Sequence, residues 1–264
     1  LLGQTYYPDN TYTRNRDGDP IRPYDMSTDN ISEFMGVRVV AVTVAVAESL
    51  VRVTDWIDMD GDVSGGSAGY TMSGRLNDSF KAMNLLFEAG VSLRRVDEAT
   101  GDLHPGDFIV SGDASMETLT DVATETGVDF RPLDMDVSGA SHPIERLRIG
   151  MFQRYYGGNM DEGWTRLLLE NFEFPYTSVM SQRMMEGDLR SDFDVIILPD
   201  DGVAMMTGEV GAGGGGGRGR PDPTAYPEEY RSGFGAEGVQ ALEEFVEQGG
   251  TLVTFARAGD LPID

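Results

Sequence analysis

The sequence contains no cysteine. That excludes disulfides, a thiolate nucleophile and Cys-ligated zinc, and it leaves the compartment open. Lysine is nearly missing as well. Lys81 is the single one, and arginine makes up the rest of the 20 basic residues, set against 45 acidic ones. Histidine occurs only as His104 and His142. A formal charge of -25 gives a surface that repels nucleic acid and anionic membrane, so neither is expected as a partner. Long apolar runs are missing too. The longest, Val37 to Val51, carries Arg38 and Glu48 and is too short and too charged to span a bilayer. The acidity itself reads as a solubilising shell, suited to a medium where salt screens self-repulsion. Read instead as a cation patch, it lacks a clustered calcium loop. Asp58, Asp60 and Asp62 alternate, but Gly61 comes fourth from Asp58 and Gly69 stands where a calcium loop needs Glu.

What is present supports a folded α/β protein. The chain has 264 residues, 40% of them hydrophobic, enough for one large or two modest domains. Leu147 to Arg166 (LRIGMFQRYYGGNMDEGWTR) reads as a buried strand, a Gly-rich turn from Tyr155 to Asn159, and a helix opening at Asn159. A strand passing to a helix through glycines is the first unit of an open α/β sheet. Strand DVIILPD (Asp194 to Asp200), a helix from about Gly235 to Gln248 and strand TLVTFA (Thr251 to Ala256) continue the pattern. The expected fold is a mainly parallel open sheet flanked by helices, flavodoxin-like, preceded by a smaller α/β segment. Trp164, Leu167, Leu168 and Phe172 are expected to form the core face of the first helix, and Val239, Leu242, Phe245 and Val246 that of the last.

Residues 1–30 are turn-rich and polar, a linker by composition. Residues 31–140 form the smaller α/β segment. It opens with one or two strands in Ile31 to Val53 and a loop from Asp55 to Gly69. From Tyr70 the period turns helical, with a stripe of Leu76, Phe80, Met83, Leu86 and Phe87 that stops at Gly90. Strands VSLRRV (Val91 to Val96) and GDFIV (Gly106 to Val110) follow, then a helix capped by Ser115 and ended by Gly127, then strand VDFRPL (Val128 to Leu133). Asp134 to Glu145 interrupts both periods and reads as a boundary. Residues 146–264 form the second domain. The glycine run between Met205 and Gly235 is expected to be a mobile loop.

Several stretches occur together in order. They are RPYDMSTDNISEFMGV; GYTMSGRLNDSFKAMNLLFEAGVSLRRVDE with GDFIV; NMDEGWTRLLLE; DFDVIILPD; and GFGAEGVQALEEFVEQGGTLV. They resemble the region downstream of the catalytic domain in bacterial zinc carboxypeptidase-like proteins of the carboxypeptidase A superfamily, and cover nearly the whole chain. The resemblance implies a linker and a class I glutamine amidotransferase-like domain at residues 146–264, truncated at its C-terminus. It also implies an upstream peptidase domain on the same polypeptide that holds zinc and cleaves a peptide substrate, and a secreted or periplasmic location. Neither parent chemistry carries over. The amidotransferase needs a Cys on a strand-to-helix elbow, and there is none. His142-Pro143-Ile144-Glu145 fits the peptidase's His-x-x-Glu by letter, but no His follows it, so three zinc ligands cannot be assembled. No catalytic residue, metal ligand or cofactor is assigned to this chain.

The remaining candidates sit where open α/β sheets bind ligands, beyond the carboxyl ends of strands. Asp200 and Asp201 end one strand; Asn159, Asp161 and Glu162 open a helix. Together they define a possible acidic crevice. The plain alternative is a cap at Asn159, acids that complement the helix dipole at Asp161 and Glu162, and strand-end turn acids at Asp200 and Asp201. Tyr155, Tyr156 and Trp164 are candidates for lining such a crevice, with a core role the alternative for Trp164. Three functional readings stand open: a non-catalytic accessory region of a metallopeptidase, a small-ligand-binding α/β domain, and a hydrolase using carboxylates alone.

Overall fold

The computed structural model describes residues 10–21, 40, 42–45, 51, 52, 54, 60–155, 158–208, 227, 230 and 233–263. The expected strands in Ile31 to Val53, the glycine run and Tyr156 lie outside these residues, apart from a few positions. The chain divides into two compact units, Leu1–Trp56 and Ile57–Asp264. In the first, Asn15 Oδ1 accepts the N–H groups of Asp17 and Asp19, both at 2.9 Å, and Arg14 bridges Pro20 in a tight antiparallel turn.

The second unit holds two sheets. Five strands form an antiparallel one: β1 (Gly69–Met72), β2 (Leu93–Val96), β3 (Phe108–Ser111), β4 (Arg131–Leu133) and β5 (Ser141–Ile144), in the order β4-β1-β3-β2-β5. Helix α1 (Asp78–Glu88) joins β1 to β2, and α2 (Met116–Thr126) joins β3 to β4. Two β-α-β units are thus interleaved, each with a strand of the other between its own two. Both helices cover one face, where Tyr70, Met72, Leu93, Phe108 and Val110 meet Ala82, Leu86, Leu119 and Val122. The Ser115 cap and the Gly127 stop are in place. The Ser115 side chain accepts the Thr118 N–H at 3.0 Å, and Gly127 is left-handed at φ 68°.

The strand that precedes α1 is Gly69–Met72, a stretch expected to belong to a loop and the start of a helix. Asp134 to Glu145, expected to be irregular, contains β5. Pro143 obscures that strand in the sequence. It is tolerated because β5 is at the sheet edge, where one side needs no ladder donors. Of the alternating aspartates Asp60 and Asp62 are described and Asp58 lies outside the described residues; their stretch runs beside the end of α2. Gly61 N–H donates to Ala123 O, and Val63 bridges Phe130.

The second sheet is parallel, as expected. Its strands are β6 (Ile149–Phe152), β7 (Tyr176–Val179), β8 (Val195–Leu198) and β9 (Thr251–Thr254), in the order β7-β6-β8-β9. Counted within this sheet the order is 2-1-3-4, the flavodoxin-like arrangement. Helix α3 (Met160–Asn171) covers one face over Ile149, Met151 and Ile197. The other face carries the main core. There Phe152, Val179, Ile196 and Leu198 meet α4 (Ser181–Met185), α5 (Leu189–Asp192), α6 (Val203–Thr207) and α7 (Gly235–Glu247). Gly150 permits this packing, since a Cβ there would come within 2.9 Å of Val179 and 3.0 Å of Phe193.

One helix contradicts its expected core face. Trp164, Leu167 and Leu168 of α3 are 66%, 44% and 56% exposed, and only Glu162 is buried. The rotation of α3 is fixed at both ends. Asn159 caps its start and bonds the β8 loop, while Asn84 of α1 donates to Phe172 O at 2.8 Å at its close.

Candidate functional site

The crevice lies where β6 and β8 run side by side while their connections leave in opposite directions, the switch point of an open sheet. Three loops meet there. The loop after β6 brings Arg154 and Asn159, the loop after β8 brings Asp200 and Asp201, and the turn after β9 (Ala256–Asp260) brings Arg257.

Asn159 serves both its helix and the crevice. Its Oδ1 accepts the N–H groups of Asp161 at 2.9 Å and Glu162 at 3.3 Å, satisfying donors that the first turn leaves orphaned. Its Nδ2 donates to Asp200 O at 3.2 Å and approaches Asp201 Oδ2 at 3.4 Å.

Asp201 is almost closed off from solvent. Arg154 Nε donates to its Oδ2 at 2.5 Å, with side chains 10% and 6% exposed for Arg and Asp. Gly202 N–H donates to its Oδ1 at 3.0 Å. Asp200 faces outward and accepts from the backbone N–H of Arg257 at 3.1 Å and its Nε at 3.0 Å. Bonding to that guanidinium holds the Asp200 carboxyl below its ordinary range and raises Arg257 in turn.

The structure therefore brings Asn159, Asp200 and Asp201 together, with Asp161 exposed in the first turn of α3. Glu162 is buried at 4% exposure. Its Oε1 has no hydrogen-bond partner, and its Oε2 lies 3.6 Å from Arg166. Tyr155 is exposed and packs edge-to-face on Tyr230. Sequence reasoning missed Arg154 and Arg257, which neutralise the expected acidic crevice. The signal was available: the strand-end rule that selects Asp200 and Asp201 applies equally to the basic residues just past β6 and β9.

Chemically, this arrangement is a closed ion-pair network. A carboxylate whose lone pairs are taken by guanidinium and backbone N–H donors is a weak base, and Asp200 is shifted away from neutrality, where general-base catalysis works best. The two histidines lie elsewhere. His142 Nδ1 is 2.7 Å from Asp97 Oδ1, and His104 Nδ1 is 3.7 Å from Asp107; both imidazoles are about half exposed. Among the described residues no group of three or more His, Asp or Glu is placed to hold a metal ion, and no helix is long and apolar enough to cross a membrane.

A cavity of about 920 Å³ lies away from the crevice, beside β1 and β4. Arg75, His104 and Arg131 line it together with Asp102, Asp129 and Asp134, so it presents no single sign of charge. These residues come from separate segments, and no sequence motif marks them. Comparison of the chain with protein families, with curated proteins and with solved structures finds no match.

Proposed function

We propose that this chain is a non-catalytic accessory region of a zinc carboxypeptidase-like metallopeptidase. The peptidase domain would lie upstream on the same polypeptide, hold the zinc and cleave the peptide substrate, in a secreted or periplasmic setting. The ordered set of motifs from Arg22 to Val253 supports the lineage. The observation that carries the non-catalytic part is the pairing of Asp201 with Arg154 and of Asp200 with Arg257, which occupies the carboxylates at the position where an open α/β sheet would do chemistry. The missing Cys removes the amidotransferase nucleophile.

Deleting this region from the in-frame polypeptide tests the reading. Zinc content and intrinsic peptide cleavage should persist, while solubility or KM for long peptides worsens. Loss of the zinc itself would place ligands within this chain and refute the proposal.

A second reading, a small-ligand-binding domain, is supported by the convergence of Asn159, Asp200 and Asp201 at the switch point. There the Arg257 side chain is 67% exposed and open to an anionic ligand. Protection of Arg257 from an arginine-selective reagent by a small carboxylate would favour it.

A further inference from the structure

Helix α3 is amphipathic with its faces reversed. At about 100° per residue, Met160, Trp164, Leu167 and Leu168 share an arc of about 100°. They point away from the sheet, at 80%, 66%, 44% and 56% exposure. The opposite face, turned to the sheet, holds the buried Glu162 with its unpartnered oxygen, together with Thr165, Arg166 and Leu169. A soluble helix normally puts its apolar stripe inward, and a contiguous apolar ridge with a polar border marks an interaction surface. Beside the ridge is an apolar cavity of about 270 Å³, lined by Asn77, Phe80, Leu168, Leu169, Phe172 and Phe174. Leu168 belongs to both, so ridge and cavity form one continuous surface.

The border of the ridge says what covers it. Asp161 flanks the stripe on one side and Glu170 on the other, both exposed, with Glu173 just beyond the helix end. Charged rims select partners of opposite sign. A second copy would bring another -25 and face these acids with its own. An anionic membrane is repelled by the same charge. We infer that the α3 ridge and its cavity dock an amphipathic helix of a partner protein, apolar on one face and bordered by Arg or Lys, seated as a helix in a groove. The inference stands independently of the metallopeptidase reading.

The test uses the full chain with Trp56→Phe, so that Trp164 is the remaining indole. The probe is a 20-residue helical peptide with Leu and Phe on one face and Arg borders, titrated at moderate salt. Binding should shift the Trp164 emission to the blue. Leu168→Glu should weaken it at least tenfold, and so should a peptide with Glu in place of Arg. Leu167→Glu serves if the first variant does not fold. Absence of binding, or equal binding to the Glu variants, overturns the proposal. So does a blue shift on zwitterionic vesicles, which makes the ridge a membrane face. A dimer in sedimentation that Leu168→Glu disperses also overturns it, since the occupant is then a second copy.

Discussion

Replacing Arg154 with Ala strikes the ion pair on which the crevice depends. Asp201 would remain in place at 6% side-chain exposure, having lost its guanidinium donor at 2.5 Å. Removing one member of a buried pair costs about 3–5 kcal/mol, because the other charge stays buried. Asn159 Nδ2 at 3.4 Å and Gly202 N–H at 3.0 Å still face the carboxylate, which argues for the lower end, about 3 kcal/mol. Against a total stability of about 5–15 kcal/mol that is a large fraction. For a unit of this size each kcal/mol moves the melting point by about 2–4 °C, so Arg154→Ala should melt about 6–12 °C lower. Urea unfolding followed by circular dichroism gives the free energy directly. The double variant Arg154→Met with Asp201→Asn supplies the contrast. It removes both charges, keeps volume and leaves an amide oxygen to accept the Gly202 N–H, so it should lie within about 1 kcal/mol of the parent. If Arg154→Ala alone lies within about 0.5 kcal/mol of the parent, the size of an ordinary surface change, the pair does not hold the crevice closed and the argument fails.

Three further outcomes are expected. Asp194 accepts from Arg148 N and Nε at 3.0 Å, Arg148 Nη2 at 2.9 Å and Arg190 Nη1 at 2.6 Å, and the Arg148 bonds above all hold its carboxyl well below the usual range. A depressed folded-state value stabilises above the unfolded value and is lost as pH falls. Asp194→Ala should therefore cost about 2–3 kcal/mol at neutral pH, and the difference from the parent should close in acid well below about pH 4, as thermal melts across pH will show. Tyr176 is pushed up to about 12, first by burial and then by its 2.7 Å bond to Glu170. The neutral phenol stabilises the fold fully below pH of about 10 and that support fades toward 12, so absorbance at alkaline pH should find one late-titrating tyrosine that Tyr176→Phe removes. Finally, a formal charge of -25 predicts that NaCl raises the melting point as the Debye length falls from about 10 Å at 0.1 M to about 3 Å at 1 M. A melting point that NaCl leaves unchanged or lowers while sucrose raises it would contradict the repulsion argument.

Elements with strong periodicity or clear end signals were legible in the sequence. Helix α2 shows both its Ser115 cap and its Gly127 stop, and strands β6, β8 and β9 are apolar runs bounded by turn residues. Two of the missed strands lack that signal. Strand β7 is the polar edge segment Tyr176-Thr177-Ser178-Val179, and β5 contains Pro143; both lie at sheet edges, where neither alternation nor a full ladder is required. Periodicity correctly located α3 but misplaced its face, because the stripe through Trp164 and Leu168 carries no mark of whether the sheet or something else covers it. At the site, strand ends selected Asp200, Asp201 and Asn159. The pairing that neutralises them depends on Arg154 and Arg257, which lie about 47 and 57 residues from their partners, and such distant contacts leave no local pattern.

The central claim is that this chain contributes to a zinc peptidase without doing its chemistry. The most direct measurement compares the chain alone with the longer in-frame polypeptide, for bound zinc after dialysis and for release of C-terminal residues from peptides. The account predicts one zinc and measurable release for the longer polypeptide and neither for the chain alone. One tightly held zinc per chain, or C-terminal release by the isolated chain, would contradict it.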